Sequence, residues 1–103
     1  MSKISVLAKL TAADGAADQL EAALASLIDA ANEEAGLEVY SAHRAHDDPN
    51  TYWFFELYAD ADAVAVHGKG DAVKAGMAEV GRHLAGRPEV IRMTPVAAKG
   101  LTI

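Results

Sequence analysis

Two residues of this 103-residue chain stand where an apolar pattern should not tolerate them. Glu56 interrupts YWFFELY, Tyr52 to Tyr58, a run that holds the single Trp, both Phe and two of the three Tyr. His67 closes the Ala- and Val-rich run ADAVAVH. A carboxylate and an imidazole in apolar surroundings each need a partner. If the fold joins them, the carboxylate fixes the imidazole tautomer and favours its charged form. One reading of such a pair is acid–base chemistry, in which His67 takes or holds a phenolic proton and Glu56 orients it. A deprotonated phenol or hydroquinone gives an electron to dioxygen far more readily than the neutral form. The other reading is a structural latch that ties the segment carrying His67 to a sheet.

Side chains alternate along a strand, so Tyr52, Phe54, Glu56 and Tyr58 share one face. The hydroxyls of Tyr58 and Tyr40 are placed to hydrogen-bond a quinol oxygen, and their rings to stack on a planar ligand; both residues also suit an amphipathic core. Trp53 and Phe55 point the other way and read as interface core. His43, Arg44, His46, Asp47 and Asp48 invite a metal reading. On a strand, however, His43 and His46 face opposite sides, and the two aspartates belong to the Asp47-Asp48-Pro49-Asn50 turn. No metal site is expected there. His43 is left to line either a pocket or an interface.

These residues need elements to position them. Residues 2–10 alternate as a strand, and Leu20, Leu24, Leu27, Ile28 and Ala31 recur at helical spacing within 16–34. Asp14 is placed to cap that helix, and Gly36 to end it. Asp18, Glu21, Asp29 and Glu33 fall on its solvated side. Leu37–His46 and Tyr52–Tyr58 read as a hairpin. A short helix capped by Asp60 or Asp62 runs to His67, and Gly68-Lys69-Gly70 breaks it. Asp71 opens a further helix with Val73, Met77, Val80 and Leu84 as its buried stripe, ended by Gly86-Arg87-Pro88. Glu89–Ala97 is a last strand. The order β-α-β-β-α-β is the ferredoxin-like α+β arrangement, an antiparallel sheet with its helices on one face. The second sheet face is then left bare and aromatic, which implies a homodimer of barrel-like centre.

The length suits a single domain, 1–103. A net charge of −6 argues against nucleic acid and anionic membrane surfaces. The chain has no cysteine, so thiolate chemistry and disulfides are excluded. The N-terminal segment alternates rather than running apolar, and no stretch approaches a membrane span. A cytoplasmic location is the expectation.

Four features in order carry a family resemblance: Gly36-x3-Tyr40, the Asp-Asp-Pro-Asn turn, Glu56-x-Tyr58-x-Asp60 and Ala63-x3-His67. Together they resemble the antibiotic biosynthesis monooxygenase family of dimeric α+β barrels, over nearly the whole chain. The resemblance implies a pocket between helices and sheet, and oxygenases that work without metal or flavin because an electron-rich aromatic substrate itself reduces oxygen. A quinol monooxygenase is the leading expectation, with no cofactor and a small aromatic molecule as partner. His67, Glu56 and Tyr58 would be catalytic, and Tyr40, His43 and Phe54 would bind substrate. A non-catalytic binding or stress-associated dimer and an isomerase are the alternatives. The haem-degrading branch carries an Asn, a Trp and a ligating His where this chain has Ala8, Tyr58 and Met77, which argues against haem breakdown.

Overall fold

The computed structural model describes residues 2–103. Four strands and three helices follow the order β1 (Ile4–Thr11), α1 (Ala17–Ala30), β2 (Leu37–Arg44), β3 (Thr51–Tyr58), α2 (Ala61–His67), α3 (Asp71–Gly81) and β4 (Glu89–Met93). The strands form one antiparallel sheet in the order β2-β3-β1-β4. This is the α+β, ferredoxin-like topology, with the second helical segment divided at Gly68–Gly70 as the sequence implies.

Register decides which side chains meet. Ala8 pairs with Phe54, Leu10 with Tyr52 and Val6 with Glu56 across β1 and β3, while Tyr40 of β2 stands opposite Glu56. These positions lie under the helices. Leu20, Ala23, Leu24 and Leu27 of α1 and Val73 and Val80 of α3 close over them as one buried cluster with Ala8, Leu10, Tyr52 and Phe54. Ser41, His43, Trp53, Phe55, Leu7 and Ile91 take the alternate positions, on the opposite face.

Several boundaries differ from expectation, each for a local reason. Helix α1 stops at Ala30 rather than 34, because its last turn tightens: the Ala31 N–H is shared between the Leu27 and Ile28 carbonyls and the Asn32 N–H turns back to Asp29. Glu34 is therefore in the following turn. Neither Asp14 nor Asp71 caps a helix; Ala16 and Gly70 hold those cap positions without a side-chain bond. Asp60 does cap α2, its carboxylate accepting the Ala63 N–H at 2.9 Å. Helix α3 ends at Gly81, before Gly86. Strand β4 ends at Met93, and Pro95 just beyond has no N–H to extend a ladder. Met77 departs from its expected core position. Val73 and Val80 are buried, but Met77 is 42% exposed.

Two glycines mark close approaches. A Cβ on Gly76 would come within 2.9 Å of the Leu27 Cδ1, where α3 crosses α1, and one on Gly36 would meet the Ala63 Cβ at 2.7 Å. The Leu27 tip can rotate away, whereas a methyl on a helix backbone cannot. Gly36→Ala is expected to lose roughly 1–3 kcal/mol of stability by overpacking. Gly81→Ala, with open space around its Cβ, should gain a few tenths to about 1 kcal/mol through the unfolded chain. Thermal melts of the two variants should move in opposite directions.

Candidate active site

Glu56 sits mid-strand on the helix-covered face, partly buried among aromatic neighbours. Two residues along the same face, the Tyr58 hydroxyl donates a hydrogen bond to Glu56 Oε1. Burial pushes the Glu56 carboxyl above its ordinary range, with the Tyr58 bond and the nearby His67 acting in the opposite sense. Burial also raises the Tyr58 and Tyr40 hydroxyls well above an ordinary phenol, and the Glu56 carboxylate adds to both effects.

His67 is 4% exposed, at the end of α2. Its partner is not Glu56. Nδ1 lies 2.9 Å from Glu34 Oε1 and 3.2 Å from Oε2. The early stop of α1 frees Glu34 to reach α2, while the Glu56 carboxylate is engaged by Tyr58. The Nε2 atom of His67 is buried and has no hydrogen-bond partner. The ring is flanked edge-on by two tyrosines, Tyr40 with centroids 5.1 Å apart and Tyr58 at 5.7 Å. Tyr40 in turn packs edge-on against Phe54 at 4.5 Å. Five polar groups from four segments thus share one corner: Glu34, Tyr40, Glu56, Tyr58 and His67.

Beside that corner lies a cavity of about 320 Å³ between sheet and helices. Ala8, Leu10, Tyr40, Phe54 and Glu56 line it from the sheet, Leu24, Leu27 and Val80 from the helices, and Met77 and Val90 border it where both are solvent-exposed. Glu56 is the one charged residue of that lining and Tyr40 brings the one other polar side chain. Of the residues singled out in the sequence, Tyr40, Phe54 and Glu56 line the cavity. Tyr58 and His67 do not; they stand behind Tyr40 and Glu56. His43 is on the opposite face, paired in register with Trp53, and its Nε2 is 2.9 Å from the Ser41 Oγ. Strand parity separates it from the cavity.

Helical spacing over 16–34 gives Glu34 no role, and it places Glu21 on the solvated side. Glu21 is not merely solvated: its carboxylate accepts from Arg44 at 2.8 and 3.2 Å and from the Tyr52 hydroxyl at 2.6 Å. The Arg44 bond, then that of Tyr52, holds the Glu21 carboxyl below its ordinary range. No signal of local spacing links residues 31 positions apart. Among the described residues no cluster of three His, Cys, Asp or Glu is arranged to hold a metal, and no helix is long and apolar enough to cross a membrane.

A ferredoxin-like sheet with a helix-covered cavity and a tyrosine–carboxylate–imidazole corner is the architecture of this α+β protein. The sequence profile described as antibiotic biosynthesis monooxygenase matches residues 3–79, and the chain belongs to that family. A Caulobacter crescentus crystal structure bearing the same family name is 31% identical, covers 93% of this chain and 92% of its own, and superposes with a TM-score of 0.87. A Shewanella oneidensis protein is 30% identical over 94% of each chain, TM-score 0.83. A Nitrosomonas europaea protein of unknown function is 28% identical over 99% of this chain and 97% of its own, also at 0.83. No curated protein matches by sequence.

The raised carboxyl of Glu56 has a consequence for stability. A group bound more tightly to its proton in the folded state favours folding below its unfolded pKa, and that contribution is lost as pH rises through the folded value. Wild-type protein should therefore carry a penalty at neutral pH that Glu56→Gln lacks. Gln can still accept from Tyr58. Melting scans should find Glu56→Gln more stable than wild type at pH 7, with the gap closing as pH falls from the raised folded value toward the ordinary carboxyl value of about 4.5. A gap that is unchanged between pH 4 and 7 would contradict the burial account.

Proposed function

We propose that this protein is a monooxygenase that oxidises a quinol or similar electron-rich aromatic with dioxygen. The observation that carries the reading is Glu56, the one carboxylate, with a raised proton affinity, on a cavity wall that is apolar but for Tyr40 beside it. A planar phenolic ring suits the space between Phe54, Leu24 and Leu27, with its hydroxyl directed to Glu56. Glu56 accepts the phenolic proton as general base. The phenolate passes one electron to dioxygen, and the two radicals join through a new bond between oxygen and a ring carbon that bears hydrogen. That carbon loses its proton as the O–O bond breaks, the leaving oxygen takes this proton and the phenolic one and departs as water, and a second ring carbonyl remains. One oxygen atom enters the product and the other leaves as water, and the substrate supplies all the electrons, so the chemistry asks for no reductant or cofactor. Tyr40 hydrogen-bonds the bound oxygen function, and Tyr58 holds the Glu56 carboxylate in place.

A homodimer belongs to the same reading. Trp53, Ile91 and Met93 are 37, 57 and 38% exposed on the sheet face without helices, and a second copy is the partner whose own bare face matches them.

Oxygen uptake with a panel of hydroquinones and naphthols tests the reaction. Uptake above buffer autoxidation is expected, and Glu56→Gln should lower kcat/KM by on the order of 10²-fold or more. Equal rates for the two proteins would remove Glu56 from the reaction; no uptake with any phenol would sink the oxygenase reading. Sedimentation at micromolar concentration should give a dimer, and Trp53→Glu should shift it to monomer.

A further inference from the structure

Glu34 and His67 form a buried pair that the reaction as drawn above does not use. Its geometry faces two ways. On the inner side, the His67 ring is clasped by Tyr40 and Tyr58, and Tyr58 is bonded to Glu56. On the outer side, Glu34 borders a surface groove with Gly36, Asp60 and Val66. His67 is buried next to both, lining neither. Its Nδ1 is committed to Glu34, and its Nε2 is the one buried side-chain polar atom among the described residues that lacks a partner. An orphaned polar atom at this depth costs stability in the resting protein, so its retention calls for a use.

We propose that the Glu34–His67 pair is the proton store of the site: Nε2 receives the proton that Glu56 removes from a substrate hydroxyl, and Glu34 carries the counter-charge. This rests on the oxygenase reading above and adds Glu34 to it as a positioning residue. The bookkeeping balances. The substrate O–H breaks, Glu56 is protonated and then returns to the carboxylate, and an Nε2–H forms; the Tyr58 hydroxyl, bonded to Glu56 on a ring packed against His67, takes the Glu56 proton and turns to give its own to Nε2. The cavity then holds a phenolate while the positive charge sits on an imidazolium beside a carboxylate. When the O–O bond breaks, the stored proton returns by the same groups to the leaving oxygen, which departs as water. The groups facing His67 are Glu34 from the turn after α1, Tyr40 from β2 and Glu56 and Tyr58 from β3; none of them is cationic. A cation formed on the ring thus meets two carboxylates and no like charge. The same pair without a proton to store would be a latch, and the two roles differ in what Glu34→Gln does. Gln keeps an oxygen for Nδ1–H but removes the counter-charge.

The test uses histidine-labelled protein and 1-naphthol under anaerobic conditions, with the His67 ring nitrogens followed by NMR. Naphthol binding should move the Nε2 resonance toward the protonated imidazole in wild type. In Glu34→Gln naphthol should still bind while that movement is lost, and the melting temperature should stay close to wild type. In air, Glu34→Gln should lower kcat about tenfold or more with KM little changed. Glu34→Asp, which keeps the charge, should recover part of the Nε2 response. Bound naphthol with a silent Nε2 in wild type, or the same response in wild type and Glu34→Gln, overturns the proton store and leaves the oxygenase reading standing. Failure of naphthol and the other phenols to bind overturns both.

Discussion

A carboxylate on the helix-covered face of a sheet must find its donors there, and much of this structure follows from how Glu56 does so. The Tyr58 hydroxyl, two residues along the same face, engages it. That engagement leaves His67 to be satisfied from elsewhere, and Glu34 supplies the partner. Each step settles a polar group that would otherwise cost several kcal/mol to bury. The sequence of pairings ends at Nε2, where the satisfaction stops. Among the buried side-chain polar atoms of the described residues it is the exception, and an exception is where chemistry is to be expected.

The cavity next to that corner comes from what the core lacks. Ala8 occupies the central strand opposite Phe54, and Gly81 stands where α3 passes over the sheet. Small residues on facing walls leave volume that larger ones would fill. The α1–α3 crossing brings Gly76 close to Leu27, and the exposed Met77 and Val90 border the space. An apolar space with one carboxylate suits a mostly apolar ligand with one hydroxyl end. The same wall composition raises the proton affinity of Glu56, so the shape of the site and its acid–base character have one cause.

The two sheet faces are used differently. Under the helices, alternation selects Tyr52, Phe54, Glu56 and Tyr58; on the bare side it selects Trp53, Phe55 and His43. A shift of one residue would exchange the two sets. The long pairing of β1 with β3, from Ile4–Tyr58 to Thr11–Thr51, holds the register against that exchange. Irregularity is confined to the Leu37–Val39 end of β2.

Periodicity along the sequence determined the element order, the ferredoxin-like class and that Phe54, Glu56 and Tyr58 share one face, because those properties depend on neighbours two to four residues apart; that this face lies under the helices was decided by the tertiary structure. It also marked Glu56 and His67 as polar groups in need of partners. It did not determine which partners they take. Glu34 reaches His67 across 33 positions and Glu21 reaches Tyr52 across 31, and such pairings depend on where one helix stops and how another is set against the sheet. Parity assigned His43 to the face of Val39 and Ser41, but only the strand register placed that face away from the cavity. Met77 kept its place in the helical repeat and lost its burial, since it borders the cavity where the closed core would have covered it. Local spacing is written in the chain; the meeting of distant side chains is settled only when the core closes, because the free energy of each contact depends on all the surfaces that exclude water from it.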